Sequence, residues 1–424
     1  MEEVLERHYF SRNIVIYFLL TVALFQNILQ GLVPFASYAD ELLLLYMGFG
    51  IFLRLLTSDK GKRDHVIMVF LMVSLVLYGI VSQILSDVPR ELPAIVMDIV
   101  YLFKIFVCFL GADLIFEGKT TDCRKLVNYL AFLTKIVVMA AFVLMCVNLF
   151  YDLGLSSGVR YGWKSYQFLY SNPGMLSQYC IGFCLILTGE LIYKPFTAGR
   201  KLMMAMLFAV WLGSMRSRAF IMVLIWFILY YIFIYKGLND AKVVMEKLRK
   251  LFRPQYFILF FIMAVAVGGN QIERYFGGEQ DTSRYLFVSN GLKIMQDYFP
   301  FGAGFATFGT EAARAYYSPL YYRYGMNSFW ALKEDGTQLT DCYWPAIWGE
   351  LGAVGFILMG ILIFFLLRRM LRQSAGNKWG AVCGILYVLY LLIGSFVTGA
   401  FSSYVTAGFI ILFEVIVNTA DKEV

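Results

Sequence analysis

The chain has 424 residues, of which 60% are hydrophobic and only 15% charged, against roughly 45–50% and 25% in an average soluble domain. The 36 Lys+Arg and 29 Asp+Glu leave a net charge of +7, and the mean hydropathy is +0.68. A soluble core cannot hide that much apolar surface beneath so few charges, which excludes a cytosolic enzyme, a secreted domain and a disordered tail. The composition predicts an all-α polytopic membrane protein.

Crossing the hydrocarbon core takes about 20 apolar residues. Apolar runs at 13–33, 38–56, 65–85, 93–116, 127–150, 174–193, 202–214, 219–235, 255–269, 344–367, 379–396 and 402–419 predict about twelve transmembrane helices. The first run is full-length and lacks a small-residue cleavage site, so it reads as a span and not as a signal peptide. The runs on either side of Gly213-Ser214-Met215-Arg216-Ser217-Arg218 are short, which predicts two half-depth helices meeting at a polar turn. Basic residues gather in alternate segments, among them Arg54, Lys60 and Arg63, then Lys242, Lys247 and Arg249, then Arg368, Arg369 and Arg372. The positive-inside rule places these segments and both termini in the cytoplasm.

Two segments on the outer side are too long to be turns, 151–173 and 270–343. The second is rich in Tyr, Phe, Gly and Arg, which argues against disorder. Leu286, Phe287, Ile294 and Met295 recur at roughly helical spacing and predict a helix from Ser283 to Tyr298 near the membrane surface. Pro300 closes it, and a glycine-rich turn follows, Phe301-Gly302-Ala303-Gly304-Phe305. The whole chain, 1–424, reads as a single integral membrane domain. No internal repeat stands out, which disfavours transporter folds built from two related halves.

Absences narrow the chemistry. The seven cysteines lie mostly within apolar runs and form no C-x-x-C pair, so neither a disulfide framework nor a zinc site is expected. The only histidines, His8 and His65, fall on the cytoplasmic side of this topology. There is no H-E-x-x-H, no Walker loop and no dinucleotide glycine spacing. The expectation is therefore no metal, no cofactor and no nucleic acid, with any chemistry left to Arg, Lys, Asp, Glu and Tyr.

Basic residues on the outer side are the main signal: Arg160 and Lys164, Arg216 and Arg218, then Arg284, Arg314 and Arg323. A guanidinium at membrane depth costs on the order of 3 kcal/mol or more unless it meets an anion or a water-filled cavity. Its planar fork binds phosphate oxygens in pairs, so these segments point to a phosphate or pyrophosphate headgroup. The plainer alternative is that they snorkel or pair with local acids such as Glu279 and Asp281. The run from Tyr316 to Trp330, with Tyr317, Tyr321, Tyr322, Tyr324 and Phe329 between, fits either sugar rings or an interfacial aromatic belt. Asp98, Lys104, Asp113 and Lys135 lie within spans, as an ion or proton relay or as helix-pairing charges. Asp40 and Glu41 sit at the outer end of the second span and need no special account.

Four motifs, taken in order, carry a family resemblance. Arg160-Tyr161-Gly162 with Ser171-Asn172-Pro173 resembles the R-x-x-G…N-P element of the O-antigen polymerase and ligase family. Gly213 to Ala219 is similar to its S-x-S-R-G/A turn, with Arg218 at the motif arginine. Arg284 and Pro300-x-Gly302-x-Gly304 resemble its R…P-x-x-G-x-G element, and Asp341 with Glu350-Leu351-Gly352-x-x-Gly355 resembles its H-N-x-x-L…E-x-G-x-x-G close. The match spans roughly 155–370; the first 150 residues contribute only hydropathy.

The resemblance implies a fold of the glycosyltransferase C type in the cell membrane, with a large extracytoplasmic loop between spans nine and ten. It implies donors and acceptors that are undecaprenyl-pyrophosphate-linked oligosaccharides, joined into a surface polysaccharide such as O-antigen, capsule or exopolysaccharide, with inversion at C1. A flippase and a chain-length regulator are the partners such a polymerase implies. Arg218 and Arg284 would hold the pyrophosphate as the C1–O bond breaks, and Arg160, Arg216 and Lys164 would assist, with Tyr321 and Tyr322 against the sugars. Ligases of the family carry His where this chain has Asp341, which favours a polymerase over a lipid A core ligase. Asp341 then reads either as the general base for the acceptor hydroxyl or as the N-cap of the helix starting near Trp344. A transporter or flippase of lipid-linked sugars is the alternative of another class.

Overall fold

The computed structural model describes residues 2–31, 33–57, 63–236, 282–336, 338–340 and 343–420; the expected ninth span at 255–269 and Asp341 lie outside them. Helices α1 (Glu2–Leu29), α2 (Ala39–Thr57), α3 (Arg63–Ser86), α4 (Leu92–Phe116) and α5 (Thr120–Phe150) come first. An antiparallel hairpin follows, β1 (Ser156–Arg160) and β2 (Trp163–Tyr166), and then α6 (Pro173–Gly189), α7 (Ala198–Gly213) and α8 (Ser217–Tyr230). Beyond these lie α9 (Ser283–Asp297), the short α10 (Glu311–Ala315) and α11 (Pro319–Arg323), then α12 (Tyr343–Ser374), α13 (Lys378–Ser395) and α14 (Tyr404–Val417).

Among the described residues, eight helical segments are long and apolar enough to cross a membrane, and the apolar stretches Ile14–Leu29 and Tyr404–Val417 are shorter. Phe18, Phe70, Leu77, Ile84, Phe132 and Phe364 project from these helices and are each more than half exposed. A water-facing surface of that kind would drive aggregation, whereas acyl chains solvate it. The protein is an all-α multi-pass membrane protein.

Hydrogen bonds between helix ends define two faces. At one, Asn27 Oδ1 accepts from the Ser171 N–H at 3.1 Å, and Gln178 Nε2 donates to Ser403 Oγ at 3.1 Å. At the other, Arg124 donates to Thr419 O at 2.9 Å, and Asp113 accepts from Arg369 at 2.9 Å and lies 2.6 Å from His65. The first is the loop face, since the hairpin and the 282–340 lobe lie there. The second is the basic face.

Segment 151–173 holds the β-hairpin at its centre. One expectation changes. Ser217–Tyr235 runs for 19 residues, α8 being prolonged by a π-helical turn, and is long enough to cross, so it is not a half-depth helix. Its partner α7, at 16 residues, spans about 24 Å at 1.5 Å per residue. The break between them comes from Met215 at φ 51° and an extended Arg216, while Ser214 Oγ donates back to Trp211 O at 2.6 Å.

The described part of the long segment forms an ordered lobe on the loop face. Helix α9 forms over the stretch that its apolar spacing indicates, and Phe287, Ile294, Phe308, Leu320, Tyr321 and Met326 close a small core of their own. The glycine-rich turn after α9 inserts between α3 and α12. Gly352 breaks α12 at φ 61°, ψ −162°, and the loop amides of Ala303 and Gly304 donate to the Gly349 and Glu350 carbonyls at 2.9 and 2.8 Å. Ser82 Oγ of α3 lies 2.9 Å from both the Phe301 and Gly302 carbonyls. The Pro-x-Gly-x-Gly and Glu-x-Gly motifs, 50 residues apart in Gly302 and Gly352, are thus two halves of one joint.

Three of the four charges expected within spans pair helix to helix, and the fourth, Asp98, accepts from the Ala306 amide. Lys104 of α4 pairs with Asp40 of α2 and lies 3.6 Å from Glu41. Asp113 of α4 meets Arg369 and His65, and Lys135 of α5 meets Glu190 at 2.6 Å. Asp40, which needed no account in the sequence, is the buried counter-ion of Lys104.

Candidate functional site

A cavity of about 440 Å³ lies at the loop face, lined by α1, α2, α4, α6, α12 and α14 and by the lobe. Its wall carries the carboxylates Asp40, Glu41, Asp98 and Glu311, with Gln178 and Ser403 among the neutral polar groups. Among the described residues no arginine lines it, but Arg218 and Arg284 each bond a carbonyl one residue from its lining.

One flank is built on the first turn of α6. Asn172 caps this helix by accepting from the Met175 N–H at 3.0 Å, and Pro173 opens it, as Ser-Asn-Pro before an apolar run indicates. Arg218 Nη2 donates to Gly174 O at 3.2 Å, and its guanidinium lies 5.7 Å from the Tyr390 ring centre. Its Nη1 is buried and meets no acceptor among the described residues. Arg216 packs on the same turn, where a Cβ added to Gly174 would come within 3.9 Å of its Cζ. The hairpin joins this flank through Tyr161, whose hydroxyl is 3.0 Å from Ser217 Oγ and whose ring meets Phe220 edge-on. Arg160, adjacent to Tyr161, is exposed. Arg216 and Arg218 therefore share one neighbourhood, with Met175 and Gln178 of the same α6 turns lining the cavity, and Arg160 follows in the chain next to Tyr161.

Arg284 stands on another flank. From the first turn of α9 it donates to Val397 O at 3.1 Å, and the next residues, Thr398 and Gly399, line the cavity.

The remaining candidates have local work. Lys164 pairs with Asp152 at 2.5 Å on the exposed hairpin, and this hydrogen bond holds the Asp152 carboxyl below its ordinary value. Arg314 pairs with Glu311 three residues earlier, and Arg323 donates to the Tyr298 hydroxyl. Tyr321, expected against sugar, is fully buried; its hydroxyl accepts from the Gly309 N–H at 2.9 Å and its ring packs the lobe core. That placement corrects the expectation, because a side chain with no exposed surface offers no stacking face. Tyr322 is 57% exposed and meets Tyr317 edge-on. Asp341 lies outside the described residues, although Thr340 and Tyr343 to either side both line the cavity.

Sequence reasoning passed over Glu311 and Arg90. Arg90 sits in the 87–91 turn, donates to Tyr316 O at 3.3 Å, and has Nε and Nη2 buried without an acceptor among the described residues. Burial lowers its guanidinium from the ordinary value, opposed by the nearby Glu350, Tyr321 and Asp98. A lone Arg in a short loop between spans looks like any flanking cation, so no sequence signal marks it. Polyhydroxyl ligands suit the carboxylate and amide wall, and an anionic group suits the arginines beside it. No family model matches the chain, and no curated protein matches it in sequence.

Proposed function

We propose that this protein is a metal-independent glycosyltransferase of the cell membrane that joins polyprenyl-pyrophosphate-linked oligosaccharide repeat units into a surface polysaccharide. The observation that carries it is the gathering of Arg216 and Arg218 on one flank, and Arg284 on another, around a polar cavity at one end of a membrane bundle. The motif resemblance to the O-antigen polymerase and ligase family supports the same reading, and the proposal includes about twelve spans, a glycosyltransferase C-type fold and cytoplasmic termini. In this reading the loop face is the outer face.

The donor carries its own leaving group, so no nucleotide is needed. Arg218 and Arg284 bind the pyrophosphate and stabilise the charge that develops on it as the C1–O bond breaks. The acceptor sugar occupies the cavity, where carboxylates, amides and hydroxyls match its hydroxyls. Asp341 in place of the ligases' His favours polymerisation over transfer to a lipid A core.

The rival reading, a transporter of lipid-linked sugars, needs charges that act in sequence across the membrane. Lys104, Asp113 and Lys135 instead pair with separate partners on α2, α12 and the α6 end, which favours a packing role. Complementation with Arg284→Ala, read as the polysaccharide ladder on a gel with membrane abundance checked, tests the choice. The transferase reading expects collapse to single repeat units that still reach the surface. Units trapped on the cytoplasmic side would overturn it.

A further inference from the structure

Of the four carboxylates on the cavity wall, Asp98 differs from the rest. Asp40 is neutralised by Lys104 and bonded by Gln26 at 2.9 Å, Glu41 is 3.6 Å from the same Lys104, and Glu311 pairs with Arg314. Asp98 is 1% exposed, lines the cavity and has no ion-pair partner among the described residues. Its Oδ2 accepts from the Ala306 N–H at 2.7 Å, which fixes the carboxylate plane. Its Oδ1 is buried and meets no hydrogen-bond donor among the described residues.

Beside Asp98, away from the cavity lining, stands Glu350 of α12, for the consecutive amides of Ala306 and Thr307 bond the one carboxylate and the other. Glu350 Oε1 accepts from the Thr307 N–H at 2.9 Å, the Phe308 N–H at 3.0 Å and Thr310 Oγ1 at 3.0 Å. Among the described residues, the other charged or titratable groups around the two carboxylates are Arg90 in the 87–91 turn, Tyr101 on α4, Glu311 with its Arg314 on α10, Tyr321 on α11, Tyr343 on α12, Tyr404 on α14, and Asp40 and Glu41 on α2 with their Lys104.

We propose that Asp98, backed by Glu350, is the general base that accepts the proton of the attacking sugar hydroxyl. The inference rests on the transferase reading and deepens it. Asp98 takes up the hydroxyl proton as the acceptor oxygen forms its bond to C1 of the donor sugar. The bond from C1 to the pyrophosphate oxygen breaks, and the polyprenyl pyrophosphate departs with that electron pair. The proton then leaves Asp98 to water in the cavity. A base on α4, held by a backbone amide, is rigid in a way that a surface loop is not.

The test uses the purified full-length chain in detergent, with lipid-linked repeat units extracted from host cells deleted for its gene as donor and acceptor. Asp98→Asn keeps an oxygen for the Ala306 amide but removes the base. The expected result is a loss of about 100-fold or more in kcat with KM little changed. Thermal stability should equal that of the wild type, and the fall in wild-type rate at acid pH should vanish. Glu350→Gln keeps an acceptor for Thr307, Phe308 and Thr310, and should move that acid limb to lower pH. An active wild type with Asp98→Asn within about threefold of it, or an acid limb unmoved in Glu350→Gln, overturns the proposal alone. Loss of activity in proportion to loss of folded protein makes Asp98 structural and also overturns it. A wild-type chain that elongates nothing overturns the transferase reading and this inference with it.

Discussion

Replacing Gly352 by Ala puts a methyl group where the joint has no room for one. A Cβ there would sit 2.4 Å from Pro300 O and 2.5 Å from Gly302 N, both backbone atoms that cannot swing aside. The φ of 61° with ψ of −162° is a region open essentially to glycine alone, and forcing another residue into it costs about 1–3 kcal/mol. Relief of the clash must pull the loop off α12, which weakens the Ala303 and Gly304 hydrogen bonds, each worth about 1 kcal/mol. The sum is on the order of 3–5 kcal/mol, enough to matter for a protein of ordinary stability. Gly360 supplies the control on the same helix: nothing lies within 4 Å of its Cβ position, and Ala there should be neutral or stabilise by up to about 1 kcal/mol. Apparent melting temperatures of the two variants, measured by fluorescence in detergent, should differ by several degrees with Gly352→Ala the lower. Equal melting temperatures would show that the joint carries no strain and that the reasoning fails.

Other consequences follow from the same geometry. Lys104→Met strands the buried Asp40 at a cost of about 3–5 kcal/mol, so membrane abundance should drop, while Lys104→Met with Asp40→Asn should recover most of it on fluorescence-detected size exclusion. Tyr321→Phe leaves the Gly309 N–H without its acceptor and should destabilise by about 1–3 kcal/mol, whereas Tyr322→Phe should leave the melting temperature unchanged. The Asp152–Lys164 pair is present above the ordinary carboxylate range and is lost as pH falls through the depressed Asp152 value. Hairpin amide exchange, corrected for its intrinsic pH dependence, should therefore be less protected at pH 3 than at pH 6, and Lys164→Ala should abolish the difference.

Local features of the fold were readable because each depends on neighbours in the chain. Apolar runs marked the helices, Ser-Asn-Pro marked the start of α6, and the spacing of Leu286, Phe287, Ile294 and Met295 marked α9. Glu311 was passed over, although it stands three residues before Arg314, an interval at which side chains meet on a helix. The hairpin between β1 and β2 escaped notice because Ser156 to Tyr166 has Gly158 and Gly162 but little apolar alternation. The π-helical turn that prolongs α8 is likewise not marked by any residue.

What composition and spacing alone determined is that this chain belongs in a membrane, where most of its helices lie, and that its uncommon arginines sit at helix ends. Hydropathy is a sum over single residues, and a bilayer reads that sum directly. Only the tertiary structure decided which charges face each other. Lys104 meets an acid 64 residues away, Asp98 meets the Ala306 amide 208 residues away, and the two glycine motifs close one joint. Such pairings depend on which helices lie side by side and at what depth, and a linear pattern of apolar and charged residues is the same for many such arrangements. For that reason the sequence could not tell that Asp40, at the end of a span, is neutralised by Lys104, while Asp98, within the next span but one, lines the cavity without a counter-ion among the described residues.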